Sequence, residues 1–163
     1  MVALRERNDL SAKTLEIIIL TATRTGEAIG ASWSGIDLDS AVWTIPANQM
    51  KAGIEHRVPL SRVTLTRLRD LPRIKDNEHV SPGQKPKRPL SNMACLTLLK
   101  RMERMERKDI TVHGFRSTFR DRTAEQTSFP REVTEPALAL TLKDKAAYQH
   151  GDLFEKRRKM MEA

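Results

Sequence analysis

Residues 36–58, IDLDSAVWTIPANQMKAGIEHRV, predict a small antiparallel sheet. The run Val42-Trp43-Thr44-Ile45-Pro46 is β-branched and aromatic, which is typical of a strand, and turn-forming residues precede it. Lys51-Ala52-Gly53 has the composition of a hairpin turn. Two or three short strands therefore fit between Ile36 and Val58.

Helical patterns flank this segment on both sides. Residues 11–23 predict a helix capped by Ser11, and its apolar face carries Leu15, Ile18, Ile19 and Ala22. A short helix is predicted at 27–29, and another begins at Ser61 and is ended by Pro72. Later helices are predicted from Ser91 (with a buried stripe of Met93, Leu96, Leu99, Met102 and Met105), over 113–126, 132–140 and 153–161. The predicted fold class is α+β, mainly helical with a small antiparallel sheet.

Length and charge limit the possible functions. The chain has 163 residues and a net charge of +8, which suits one domain that binds a polyanion such as nucleic acid. The alternative is a basic protein that binds no nucleic acid or other polyanion. The single cysteine, Cys95, excludes an intramolecular disulfide framework and a cysteine-rich zinc site. No apolar run approaches the ~18–20 residues of a membrane span, and no signal peptide is recognised, so we expect a cytoplasmic protein.

Four motifs carry side chains suited to phosphate chemistry. They are Thr23-Arg24-Thr25-Gly26-Glu27, Lys51 in the hairpin turn, His113-Gly114-Phe115-Arg116, and Tyr148, the only tyrosine of the chain. His113 and Arg116 are three residues apart and share one face of the predicted helix. Each motif alone also has an ordinary explanation, such as a solvated arginine, a turn charge or a surface hydrogen-bonding pair. Their order along the chain is far more specific.

In that order, the sequence resembles the catalytic domain of the tyrosine recombinases, in particular the integrases of phages and genomic islands. The resemblance extends over nearly the whole chain, through residues 21–27, 33, 36–38, 43–46, 50–51, 56–61, 113–120, 147–148 and 151–158. It implies the fold of the DNA breaking and rejoining enzymes for residues 1–163. It also implies that the core-binding and arm-binding domains of an integrase are absent from this chain.

The resemblance implies a role for each residue of the four motifs. Arg24 and Arg116 would clamp the phosphate under attack, since a planar guanidinium donates two parallel hydrogen bonds to its oxygens. His113 would hold a phosphate oxygen or manage the proton of the nucleophile. Lys51 would protonate the departing 5′ oxygen, and Tyr148 would attack phosphorus to form a 3′-phosphotyrosyl link. Glu27 would orient one of the arginines; its ordinary interpretation is an exposed helix acid.

Further cations complete the predicted DNA surface. Lys85, Lys87 and Arg88 lie in a basic loop at 76–89, and Arg120 follows the His113 motif; all four are expected to contact DNA. The expected partner is double-stranded DNA, on which the family assembles a tetrameric synapse.

No metal or cofactor is expected. The acidic pair Asp37 and Asp39 is better explained as a turn between strands than as a two-metal site. No His and Cys grouping has zinc spacing, and no glycine-rich phosphate loop is present.

One departure from the family pattern bears on activity. Relatives place a second histidine or a tryptophan ahead of the tyrosine, whereas this chain has Leu140, which can neither donate nor accept a proton. Pro136 falls inside the predicted helix, where a proline costs ~3 kcal/mol unless the helix begins later. We therefore expect site-specific recombination with impaired activity.

Two alternatives stay open at this point. A type IB topoisomerase would share the chemistry but relax supercoils, and a degenerate integrase fragment would bind DNA without catalysis.

Overall fold

The computed structural model of the protein describes residues 1–103, 110–140 and 153–163. These ranges contain helices α1 (Val2–Arg5), α2 (Leu10–Thr21), α3 (Thr25–Ile29), α4 (Arg62–Arg69), α5 (Ala94–Glu103), α6 (Gly114–Gln126), α7 (Arg131–Ala137) and α8 (Phe154–Glu162), and strands β1 (Ile36–Asp37), β2 (Val42–Ile45) and β3 (His56–Pro59). The predicted fold class is confirmed. Within the described ranges, no helix has the length and apolar character needed to cross a membrane.

The sheet is antiparallel with the order β1-β2-β3. Trp43 in β2 lies opposite Ile36 in β1 and Val58 in β3. Trp43, Ile45 and Val58 are buried in the main core, because these strands turn their apolar side chains toward the helices. The prediction of short strands between residues 36 and 58 is therefore confirmed, with β3 ending one residue beyond the predicted range.

The turn between β1 and β2 also agrees with the sequence. The Asp37 carboxylate accepts hydrogen bonds from the backbone N–H groups of Asp39 and Ser40, at 3.0 and 2.8 Å. Hydrogen bonding by Ser40 is the main cause that lowers the pKa of Asp37. The acidic pair is thus part of a local turn.

Helix α2 forms the centre of the main core and packs against α3, α4 and α5. It begins at Leu10, and the predicted cap Ser11 is wrong. The cap is Asp9, whose carboxylate accepts a hydrogen bond from the Ala12 N–H at 3.0 Å. Both side chains are good caps, and capping by Asp9 lets the helix begin earlier in the chain.

Helix α5 differs from the predicted stripe. Leu99 is buried as predicted, and Leu96 and Met102 are partly buried. Met93, however, precedes the helix and is 55 % exposed, whereas Cys95 and Leu98, which are outside the predicted stripe, are buried. The buried face thus shares Leu99 with the predicted one but is rotated toward Cys95 and Leu98, because the polar start of this segment gives no sharp phase for the periodicity. Met105 lies outside the described residues.

The other boundaries shift by a few residues. Helix α4 begins at Arg62, one residue after its predicted start, with Ser61 as its cap, and it ends at Arg69, before Pro72. Helix α7 begins at Arg131 and contains Pro136 in its last turn. It ends at Ala137 and not at residue 140, because Ala139 is left-handed with φ of 48° and the Leu140 N–H donates back to the Glu135 carbonyl. The short helix α1 has no counterpart in the predicted elements.

The Cys95 thiol gives the fold a pH dependence that can be tested. Burial, and next the charge of Asp9, raises the pKa of Cys95 from 9.0 to about 11. The folded state therefore keeps this proton where the unfolded state has lost it, so stability falls as the pH rises from 9.0 to about 11 and is unaffected below that range. In urea titrations, Cys95→Ala should show a smaller alkaline loss of stability than the parent chain. Equal losses in the two proteins would contradict this assignment.

Candidate DNA-cleavage site

Arg24 lies at the junction between α2 and α3. Thr21 and Thr23 are buried there, and their hydroxyls are 2.9 Å apart in a hydrogen bond. Arg24 is in turn fixed by Glu27, whose carboxylate accepts the Arg24 backbone N–H at 2.8 Å and one guanidinium nitrogen at 2.6 Å. Because the side chain of Glu27 is only 4 % exposed and that of Arg24 is 30 % exposed, the acid supports an arginine that still faces solvent.

Arg116 lies in the first turn of α6 and is 7 % exposed. Its two terminal nitrogens donate hydrogen bonds to the backbone carbonyl oxygens of Ala22 and Leu138. These acceptors end α2 and α7, respectively. One buried guanidinium thus joins the helix that precedes Arg24 to the helix that precedes Leu140.

The two arginines interact electrostatically. Burial lowers the pKa of Arg116, the like charge of Arg24 lowers it further, and Glu27 opposes both effects. The Arg116 guanidinium also contacts the Ala22 carbonyl, two residues before Arg24. Arg24 and Arg116 thus form a cationic pair at the end of α2, which a bound anion would stabilise. Two neighbouring guanidinium groups match the charge spread over the oxygens of a phosphodiester.

His113 lies near the start of α3. It is the exposed residue that precedes α6, whereas Arg116 on the same turn is buried. His113 lines a cleft together with Thr25 and Gly26 from the start of α3. The histidine is thus placed on the same side of the molecule as the beginning of the Arg24 helix.

The same cleft contains residues that the sequence did not single out, namely Asn92, Thr111 and Val112. Leu96, from the predicted apolar stripe, also lines it. Asn92 lies in a loop far along the chain from α3, and an isolated asparagine gives no sequence signal for a site.

Lys51 occupies the exposed turn that connects β2 and β3, near Gly53, which has a positive φ of 66°. The predicted hairpin is therefore present. Among the described residues, no hydrogen bond or ion pair connects Lys51 to the arginine pair. Tyr148, the predicted nucleophile, lies outside the described residues.

The predicted basic loop is an ordered hairpin-like turn. Its ends are joined where Pro82 pairs with Pro89, and the Gly83 N–H donates to the carbonyl of Arg88 at 2.7 Å. A Cβ at Gly83 would overlap the Pro89 carbonyl, so only glycine fits. The turn presents three exposed cations, namely Lys85, Lys87 and Arg88. Arg120 is exposed on α6 and lies 3.8 Å from Asp121.

The acidic, histidine and cysteine side chains do not converge on a metal site in the described part of the chain. Within residues 1–103, 110–140 and 153–163, no group of three or more His, Cys, Asp or Glu side chains is arranged to hold a metal ion.

Comparison with known proteins agrees with this geometry. Residues 3–136 match the phage integrase family. The chain is 36 % identical over 151 residues to prophage integrase IntZ of Escherichia coli K12, covering 91 % of this chain and 37 % of the relative. It is 28 % identical over 165 residues to the integrase of Enterobacteria phage P4, covering 91 % and 38 %. The chain thus spans less than half the length of these curated relatives.

Two solved structures share the fold. The integrase of mycobacterium phage Brujita superposes with a TM-score of 0.72 at 16 % identity, over 96 % of this chain and 52 % of that one. XerA recombinase superposes with a TM-score of 0.64 at 15 % identity, over 94 % and 62 %. The family match covers most of the chain, including Arg24, Lys51, His113 and Arg116, and these folds agree with it. The chain belongs to the phage integrase family and has the catalytic-domain fold of the tyrosine recombinases.

Proposed function

We propose that this chain cleaves and rejoins double-stranded DNA at specific sites, as the catalytic part of a recombinase that acts in the cytoplasm. The observation that carries the proposal is that Arg116 contacts the Ala22 carbonyl, two residues before Arg24. Glu27 fixes Arg24, and His113 lines a cleft at the start of α3. This arrangement suits a single phosphodiester.

The proposed reaction exchanges one phosphodiester for another. The Tyr148 phenol oxygen attacks phosphorus, and the bond from phosphorus to the 5′ oxygen breaks. The 3′-phosphate remains on the tyrosine, while Lys51 transfers a proton to the departing 5′ oxygen. The bond energy is kept in the phosphotyrosine, so rejoining is the reverse reaction with a 5′ hydroxyl of the same or another strand.

The arginine pair would act mainly in the transition state. Negative charge spreads over the phosphate oxygens as the tyrosine attacks, and fixed cations stabilise it without reorganising. A free phenol titrates near ~10, so the same positive charge would favour loss of the Tyr148 proton during attack. His113 would hold a phosphate oxygen or accept that proton. Recombination would proceed on DNA in an assembly of several copies, as a tetrameric synapse.

A nicked duplex that releases a short fragment on cleavage tests the proposal. Loss of the fragment prevents rejoining, so a cleaving enzyme accumulates as a covalent protein–DNA adduct. We expect adduct with the parent chain and a severe loss with Arg24→Ala. DNA binding without any adduct, in the parent chain and in variants designed to restore activity, would favour the degenerate DNA-binding fragment. Strand exchange between two duplexes, as opposed to supercoil relaxation alone, separates a recombinase from a topoisomerase.

DNA binding is expected to depend steeply on salt, because phosphate contacts release counterions. If the basic turn binds phosphates, replacing Lys85, Lys87 and Arg88 by glutamine should reduce the slope of log affinity against log salt by about one for each phosphate that is no longer neutralised. Arg62→Gln is the matched control, since Arg62 is an exposed cation on α4 that pairs with Glu162 at 3.7 Å. Equal slopes for the triple variant and the parent chain would exclude the basic turn from the DNA surface.

A further inference from the structure

Arg116 makes a pair of contacts that phosphate binding alone does not require. Its first acceptor, the Ala22 carbonyl, belongs to the left-handed residue that ends α2, with φ of 52°. Its second acceptor, the Leu138 carbonyl, ends α7 and is followed by Ala139, another left-handed residue, with φ of 48°. Carbonyls at the ends of helices lack helical donors and carry partial negative charge. They are therefore good acceptors for a buried cation.

A guanidinium is suited to this double contact. It has five N–H donors on three nitrogens, in a rigid plane, and two of the nitrogens reach acceptors that lie 94 and 22 residues away in sequence. Three N–H donors remain for a phosphate. A lysine would keep the charge, but it presents all its donors from one nitrogen.

We propose that Arg116 is a positioning residue as well as a phosphate ligand: it holds residues 138–140, from which the chain continues to Tyr148, in fixed register with the Arg24 junction. The role of this contact in the reaction rests on the proposed function: the contact would align the segment that leads to Tyr148 with the phosphate bound by Arg24 and Arg116. The contact itself can be tested without DNA or catalysis.

Amide hydrogen exchange of the free protein measures the contact. The N–H groups of Leu138, Ala139 and Leu140 donate to carbonyls of α7, at residues 134–136, so their exchange reports separation of this segment from the helix end. Arg116→Lys should speed their exchange by about tenfold or more, since hydrogen bonds to charged groups contribute enough for that factor. Arg24→Lys is the matched control, because it changes a neighbouring arginine that does not contact Leu138. Exchange that is unchanged in Arg116→Lys, or that rises equally in Arg24→Lys, would overturn the proposal.

Two further measurements separate positioning from general loss of stability. Leu68→Ala, which removes a buried core side chain of α4, should speed exchange throughout the core and not selectively at 138–140. In Arg116→Ala, millimolar guanidinium should restore protection of the Leu138–Leu140 amides, whereas ammonium at the same concentration should not. If guanidinium and ammonium restored the protection of these amides equally, the planar double contact would be contradicted. If the exchange results hold and no DNA adduct forms, the contact stands and only the proposed function fails.

Discussion

Tyr148→Phe is expected to abolish covalent capture of DNA while leaving DNA affinity nearly intact. The substitution removes only the hydroxyl, and the chain has no other tyrosine that could replace it. A phenyl ring cannot form an ester with phosphorus, so the loss should be complete and not a partial reduction.

Denaturing gels after incubation with the nicked duplex measure capture, and fluorescence anisotropy with the same DNA measures affinity. Phe115→Tyr combined with Tyr148→Phe is a control, because it returns one phenol to the chain next to Arg116 but not at position 148. It should not restore capture. Capture that survives in Tyr148→Phe would show that another residue is the nucleophile.

Leu140→His is expected to raise the rate of DNA cleavage. Leu140 follows α7 and is 40 % exposed, two residues beyond the Leu138 carbonyl that Arg116 contacts. Its backbone is fixed by a 2.9 Å hydrogen bond from its N–H to the Glu135 carbonyl. Position 140 thus lies close in sequence to a contact of Arg116, and its exposure leaves room for a histidine.

The expected increase in the cleavage rate follows from the imidazole that Leu140→His introduces. One positioned donor to a developing oxyanion is commonly worth ~10²–10³ in rate. Single-turnover cleavage of the nicked duplex measures it, with Leu140→Met as the control that changes shape without adding a donor. A rate for Leu140→His equal to that of Leu140→Met would show that the missing donor does not limit cleavage.

The sequence predicts local features well where the local pattern is strong. The strand run around Trp43, the start of α4 near Ser61 and the Asp37 turn all depend on nearest neighbours, and all three are present. The predicted cap of α2 is wrong because two nearby polar residues can each serve as a cap. The predicted stripe of α5 is right at Leu99 but wrong at Met93, because Met93 and Cys95 fit different phases of one periodicity.

The site itself was only partly predictable. Order along the chain identified Arg24 and Arg116, and Glu27 was expected to orient an arginine. The burial of Arg116 and its contacts with Ala22 and Leu138 were not expected, because they depend on how three helix ends meet and not on any local pattern. The position of Asn92 in the cleft with His113 was not expected for the same reason. The catalytic roles of all five residues stay proposals, namely those of Arg24, Lys51, His113, Arg116 and Tyr148.

Mapping the residue that carries DNA after cleavage tests the central claim most directly. The parent chain and Leu140→His, which is expected to yield more adduct, would be incubated with the nicked duplex, digested with protease and nuclease, and analysed by mass spectrometry. We predict one modified peptide, with a nucleotide joined through its 3′-phosphate to Tyr148, and a free 5′ hydroxyl on the released strand. An adduct on another residue, a 5′-phosphate linkage, or no adduct in either protein despite DNA binding would contradict the account.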